Sequence, residues 1–345
     1  MASMVRLQLV EVHAAATRAL LTTQLLPASV EAIASTITDA ERDGCKSHGL
    51  FRVPGYCKTV QLGKADAGAE PAVELAAPSV VQVDGARGFA PLALARGLPE
   101  LAKAAKAQGV AVMAVRNVLH FASLWHEVEY LADRGLVGLA CVSTKAYVAH
   151  GVGASSDRIY GTNPLAFAFP RAGQNHLIFD QASAAMARGE ISLAGIAGEL
   201  LPPGCAVDES GEPTLDPATA LRGAQLTFGG IKGSNIALMV ELLAAGLTAS
   251  PLAYQAAEND NDPDSMTATL SGELVLAIDP AHTAATGDPV AHAESLFGRI
   301  LGQQDGFLPS TSRHCGSQRA DLRRRSEEEG VDVPADLLAS ITSLT

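Results

Sequence analysis

Seven consecutive residues, Lys46-Ser47-His48-Gly49-Leu50-Phe51-Arg52, bring a hydroxyl, an imidazole and a guanidinium into one short stretch. An imidazole held by a neighbouring hydroxyl in a glycine-flanked loop serves as an acid near neutral pH. A guanidinium four residues on can hold a carboxylate with its planar fork. The plainer reading of the same residues is a capping Ser and a surface His. Pro54 and Tyr56 follow close behind.

Three further clusters offer ligand contacts. Asn117-Val118-Leu119-His120-Phe121-Ala122-Ser123 falls at a strand-to-helix junction. Free N–H groups at a helix start bind phosphate, although His120 there also reads as a simple cap. Gly161-Thr162-Asn163-Pro164 precedes Phe179-Asp180-Gln181-Ala182-Ser183 and then Ala187-Arg188-Gly189-Glu190. Thr162 and Asn163 are turn residues that can also donate to a ligand, while Asp180 suits the cap of a following helix. Gly229-Gly230-Ile231-Lys232-Gly233-Ser234 leads into an apolar helix. Backbone close to a ligand, plus one Lys, suits an anionic cofactor; a tight turn is the alternative.

Several familiar patterns are missing. No G-x-G-x-x-G follows a strand, and there is no Walker loop, G-x-S-x-G elbow or H-E-x-x-H. A standard Rossmann dehydrogenase and a P-loop nucleotidase are both disfavoured. Counting from Asp260, the stretch Glu258–Asp264 lacks the glycine and the closing Glu of a calcium loop, so it reads as a solvated surface loop. No metal site is expected.

The elements that must position these clusters follow from periodicity. Arg6–Val12 alternates and reads as a strand; His13–Gln24 and Ser29–Asp43 read as helices. Leu92–Gln108 reads as a helix broken near Gly97 and Pro99. Val110–Arg116, Phe121–Asp133 and Val137–Val142 form a strand, a helix and a strand, which implies a partly parallel sheet. Leu165–Phe169 reads as a strand and Ala184–Ala197 as a helix. Gly233–Leu247 reads as an apolar helix buried on most sides. Gln318–Gly330 reads as a charged helix, either a solvated face or part of a subunit interface.

Composition narrows the class. With 345 residues the chain is long enough for two or three domains, and 48% hydrophobic residues exclude wholesale disorder. A net charge of −12 with 4% aromatics argues against nucleic-acid binding. The five cysteines are odd in number and form no CxxC pair, so they read as reduced thiols. The first twelve residues do not read as a signal peptide, and no apolar run approaches the ~18 residues of a membrane helix. A cytoplasmic protein with no membrane partner is expected.

Taken together, the clusters resemble the malate/L-lactate dehydrogenase family of NAD(P)-dependent oxidoreductases, which lack the Rossmann fold. The matching pieces are Ser47-His48-Gly49, Asn117-x-x-His120-Phe121, Gly161-Thr162-Asn163-Pro164, Asp180 in Phe-Asp-Gln-Ala-Ser, and Gly229-Gly230-x-Lys232-Gly233. They occur in order across residues 5 to 310. Within the family, Glu41–Tyr56, His120–Leu124 and Ala184–Glu190 are most similar to Δ1-piperideine-2-carboxylate/Δ1-pyrroline-2-carboxylate reductases.

The resemblance implies an α/β fold with mixed sheets and a central nucleotide-binding domain. It assigns residues 119–286 to that domain, and 1–118 with 287–345 to substrate and dimerisation domains. It also implies a homodimer that takes a small cyclic imine carboxylate and uses NADPH, with NADH as the alternative. Carried over by residue, His48 is the proton donor and Ser47 its partner. Arg52, Thr162, Arg188 and Gly189 line the substrate pocket. His120, Phe121, Ala122, Ser123, Leu124, Asp180, Gln181, Ala182, Gly229, Gly230, Lys232, Leu308, Pro309 and Arg313 face the cofactor. Glu190 joins Ser47 and His48 in the catalytic set, helping to order His48; it stands where many hydroxyacid-type members have Lys, and a carboxylate there favours a cationic imine over a neutral ketone, the alternative being an ordinary charged helix residue. Phe307 departs from the basic residue often found before the Leu-Pro step and cannot pair with a phosphate, whereas Arg313 can. The alternatives are a 2-oxoacid reductase of malate or lactate type and a non-catalytic nucleotide-binding relative.

Overall fold

The computed structural model describes residues 3–151, 156–171, 173, 175–260, 267–303 and 318–345. Its centre is a seven-stranded mixed sheet. The spatial order is Ala72–Ala77, Val80–Phe89, Val110–Leu119, Leu270–Ile278, Val137–Val142, Leu165–Phe169 and Leu177–Gln181. Val80–Phe89 and Val110–Leu119 run parallel, joined over one face by the helix Ala90–Gln108; every other adjacent pair is antiparallel. The expected strand–helix–strand from Val110 to Val142 is present. Its two strands are not neighbours, because Leu270–Ile278 lies between them and bonds to both. Strands from both sides of residue 118/119 share this sheet.

The Ala90–Gln108 helix buries Ala93, Leu94, Leu98, Leu101 and Ala105 against Val81, Val83, Met113 and Val115. It runs unbroken through Gly97 and Pro99, contrary to the break expected there. A side chain at Gly97 would stand 2.5 Å from Met113 Sδ and 2.7 Å from Val83, so glycine permits the close approach. Pro99 withholds a donor from the carbonyl of Ala95, an exposed residue that water can serve.

A second core joins the helices Leu9–Leu21, Pro27–Arg42 and Val53–Gln61, with Leu50, Phe89, Leu119 and Phe121. The two ends of the chain meet where Met4–Leu7 pairs antiparallel with Val331–Pro334. The expected strand Arg6–Val12 therefore stops at Leu7. Glu11 Oε2 accepts the Gln8 N–H at 2.7 Å and opens a helix at Leu9. Val12, Ala16, Ala19 and Leu20 then form a buried helical stripe that local alternation disguised.

Other boundaries shift for similar reasons. The helix expected from Phe121 begins at Trp125, and the one expected from Ala184 begins at Arg188. The apolar helix spans Ile231–Glu241 and continues as a π-turn over Leu242–Gly246. It is not buried on most sides, since Ile231, Leu238, Met239, Leu242 and Leu247 are exposed. The expected solvated loop is also corrected at Asp260: its side chain is 1% exposed and pairs with Lys64 and Lys145. Positions 261–264 lie outside the described residues. Among those described, no helix is long and apolar enough to cross a membrane.

The charged helix Gln318–Glu329 is not simply a solvated face. Arg323 donates to Asp43 at 2.9 and 2.7 Å and to Glu129 at 3.1 Å, while Arg42 Nε donates to Asp43 at 2.8 Å. Asp43 thus ties the C-terminal helix to the Pro27–Arg42 helix that precedes the Ser47–Arg52 loop. Removing it would take one partner from each of two part-buried guanidiniums, leaving Arg323 with Glu129 and Arg42 with Asp39. Asp43→Ala is expected to lose about 2 kcal/mol of unfolding free energy, measured by urea denaturation, and an unchanged midpoint would refute this.

Candidate active site

Two single turns of 3₁₀ helix, Lys46–His48 and Leu50–Arg52, carry the first cluster. The loop is pinned from beneath by buried Glu41, whose Oε1 accepts the Leu50 N–H at 2.8 Å. A Cβ on Gly49 would stand 2.2 Å from that oxygen, so only glycine lets the carboxylate in. The pinned loop sets His48 Nδ1 3.0 Å from Ser47 Oγ and 3.5 Å from Cys45 Sγ. Arg52 Nε donates to the Ser47 carbonyl at 2.7 Å, which aims the guanidinium back across the loop. Among the described residues no carboxylate pairs with Arg52, and burial pulls its pKa below the ordinary arginine value.

The third cluster meets the first. A Cβ at Gly189 would lie 4.0 Å from Ser47 Cβ, which brings the start of the Arg188–Ala197 helix against the His48 loop. Arg188 stacks on Tyr147 with its guanidinium carbon 4.5 Å from the ring centre, and Nη2 donates to the Leu221 carbonyl at 3.3 Å. Burial lowers its pKa as well, and again no carboxylate among the described residues pairs with it. The Tyr147 hydroxyl's electrostatic influence reaches both arginines. Glu190 Oε2 accepts the Ala187 N–H at 3.0 Å, which commits that oxygen to the helix start. Thr162 N–H donates to Thr144 Oγ1 at 3.2 Å. Asn163 is fully buried and donates to Glu241 at 2.8 Å, a structural role that ties the Gly161–Pro164 turn to the apolar helix.

Three participants carried no signal in the sequence. Tyr147 stands under Arg188, with Lys145 Nζ 5.7 Å from its ring centre. Lys145 in turn pairs with Asp260, which also receives Lys64. Lys64 and Asp260 lie far from Lys145 and Tyr147 in the chain, so no local spacing joins the four; a lysine two residues before a tyrosine, just past a strand end, is the only trace.

The second cluster forms an irregular passage between the strand Val110–Leu119 and the helix at Trp125. Asp180 does not cap the helix that follows it in sequence. Its Oδ2 accepts the Leu124 N–H at 2.8 Å, which holds His120–Leu124 out of helical form. Phe121 packs on Tyr56 with ring centres 4.7 Å apart, and Arg52 lies 5.9 Å from the Phe121 ring centre, so this segment borders the Arg52 site. Ser123 is buried; Gln181 is exposed; Ala182 packs against the cluster of Val148, Tyr160, Ala184 and Ala237. Burial draws the His120 pKa down to about 4, so the ring is neutral. Burial, then the charge of Asp180, pushes Glu127 up to about 8.

Gly229 and Gly230, both in the left-handed region, bend the chain into the Ile231–Glu241 helix. They line a cleft of about 550 Å³ together with Thr227, Phe228, Ala185 and Gly204. Lys232 is exposed at the start of the helix. Bare backbone and one cation at a helix start fit an anionic cofactor. Leu308, Pro309 and Arg313 lie outside the described residues.

The profile of a malate/L-lactate dehydrogenase family matches residues 7–342. The chain is 43% identical, over 99% of both chains, to a protein of Pseudomonas aeruginosa named Δ1-pyrroline-2-carboxylate/Δ1-piperideine-2-carboxylate reductase. It is 42% identical to a Δ1-pyrroline-2-carboxylate reductase of Ancylobacter novellus, over 99% of this chain and 97% of that one. A crystal structure of Δ1-piperideine-2-carboxylate reductase from Pseudomonas syringae superposes with a TM-score of 0.90 at 35% identity, covering 99% of this chain and 100% of that one.

The raised Glu127 pKa has a measurable consequence. Between pH 4.5 and 8 the folded protein keeps a proton that the unfolded chain has released, so this group's stabilisation is complete below its unfolded value and is lost as pH rises towards 8. From pH 7 to 8.5 it removes on the order of 1 kcal/mol. Glu127→Gln is expected to flatten that slope in denaturant unfolding at the two pH values. A slope equal to that of the parent would show that the group is already ionised at pH 7.

Proposed function

This chain belongs to the malate/L-lactate dehydrogenase family of nicotinamide-dependent oxidoreductases, and on that premise we propose that it reduces Δ1-piperideine-2-carboxylate and Δ1-pyrroline-2-carboxylate to L-pipecolate and L-proline with NADPH. The observation that carries this reading is the pair Arg52 and Arg188. Two part-buried guanidiniums without a carboxylate partner among the described residues both adjoin the Ser47–His48 loop, Arg52 by its bond to the Ser47 carbonyl and Arg188 through Gly189 against Ser47, and we read the space between them as the substrate pocket. Burying an unpaired cation is costly, so such a pocket suits an anionic ligand.

A bound reduced nicotinamide supplies hydride to C2 of the imine. The protein's own residues do the rest. Arg52 grips the carboxylate and fixes the ring, which turns a bimolecular encounter into an oriented one. His48, ordered by Ser47, delivers the proton that the ring nitrogen requires. Arg188, Gly189 and Thr162 wall the pocket. Glu190 adds negative charge near the pocket while bracing the helix that carries Arg188. The glycine turn at Gly229 and Gly230, with Lys232, receives the cofactor's anionic part, and Lys232 supports the choice of NADPH. His120–Leu124 and Asp180–Ala182 border the same cleft. The homodimer belongs to this reading too: the uncovered leucines of the Ile231–Gly246 segment offer apolar surface for a second copy.

The test is cofactor oxidation followed by absorbance with each imine, pyruvate and oxaloacetate, using NADPH and then NADH. Rapid turnover of the imines alone supports the reading. Turnover of an oxoacid instead overturns the substrate, and tight NADPH binding without turnover overturns catalysis. Arg52→Ala is expected to raise KM for the imine roughly 100-fold. His48→Ala is expected to lower kcat on the order of 10²–10³-fold; unchanged kcat would remove His48 from the mechanism.

A further inference from the structure

Glu273 occupies the central strand with no exposed surface. The strand's pairing with Val110–Leu119 slips between Ser271 and Glu273. At the slip, a Cβ on Gly272 would stand 2.2 Å from the Ala244 carbonyl, so the irregularity is built around glycine. It places Glu273 Oε2 3.3 Å from His120 Nε2. Neither that nitrogen nor either Glu273 oxygen has an aligned hydrogen-bond partner.

The groups around Glu273 are acids rather than cations. Glu127 faces it from the helix Trp125–Ala132, and Asp180 stands behind Glu127 on the strand Leu177–Gln181. Cys141 on the strand Val137–Val142 also feels Glu273. A dry carboxylate needs a positive partner or several donors, and none is at hand among the described residues. A carboxylic acid needs only an acceptor, which the unprotonated nitrogen of a neutral imidazole provides.

We propose that Glu273 is a positioning residue for His120: from 3.3 Å, a turn of the carboxyl about its soft terminal torsion brings its O–H onto Nε2 and locks the ring as the neutral tautomer with its proton on Nδ1. Burial, with no cation beside it among the described residues, keeps that proton on Glu273. The two histidines then divide their work. His48, beside a hydroxyl and part-exposed, can give and take a proton. His120 cannot take one, because its acceptor is occupied; it presents a fixed Nδ1–H donor. The functional consequence rests on the reading above that His120–Leu124 borders the cofactor cleft.

The experiment uses the full-length protein labelled with ¹⁵N at histidine, together with Glu273→Gln and Glu273→Leu. Imidazole nitrogen shifts are recorded from pH 5.5 to 7.5, and NADPH affinity is measured by fluorescence. The parent is expected to show one histidine with unprotonated Nε2 and protonated Nδ1 throughout. Glu273→Gln, whose amide N–H still donates, keeps that pattern and binds NADPH within about threefold. Glu273→Leu loses the pattern and binds about tenfold more weakly, with KM for the imine little changed. A protonated Nε2 in the parent, or a Leu variant that binds like the parent, overturns the proposal. If the Leu variant does not fold, the parent and Gln spectra still decide. An intact tautomer pattern in a protein that ignores cyclic imines supports this assignment while removing the substrate reading.

Discussion

A strand from the last third of the chain, Leu270–Ile278, is hydrogen-bonded on both edges to strands formed more than a hundred residues earlier. Backbone donors and acceptors in a sheet centre must all be paired, so this strand cannot be displaced without exposing both neighbours. The segments that adjoin it depend on it. It fixes the end of Val110–Leu119, and with it the passage His120–Leu124. It carries Glu273 against His120 and sets the strand Val137–Val142, beyond which Lys145 and Tyr147 emerge.

Around this frame the ionisable groups sort by environment. On the pocket side, Arg52 and Arg188 lack carboxylate partners among the described residues, and burial lowers the pKa of both. On the sheet side, Glu127 and Glu273 lack cationic partners among the described residues and are driven towards the neutral acid. The first arrangement leaves positive charge for a ligand to satisfy. The second stores protons where no ion could be stabilised. Other groups are paired outright, as at Asp43 with Arg42 and Arg323.

Much of the chemistry was legible locally. Ser47 and His48 are sequence neighbours, and adjacency alone suffices for their hydrogen bond. The Gly229–Gly230 turn could be read because left-handed backbone favours glycine. Strand cores such as Val137–Val142 and Leu165–Phe169 matched their periodicity. Helix starts fared worse. Phe121–Leu124 has helical spacing, yet Asp180, 56 residues on, claims the Leu124 N–H. Met4–Leu7 ends where a side chain three residues ahead takes the Gln8 N–H, a competition that alternation cannot show. Apolar composition does not say which side of Ile231–Glu241 meets the protein, and one apolar face stays exposed.

By itself, then, the sequence determined the residue types, the order of the motifs, the family they resemble and the local turns, since each depends on neighbours in the chain. Only the tertiary structure decided that Asp260 would be buried between Lys64 and Lys145, that Tyr147 would lie under Arg188, and that Glu273 would face His120. Those pairings join residues from 41 to 196 positions apart in the chain. Their protonation depends on burial and on charges brought close by the sheet, and neither quantity exists until the chain has folded.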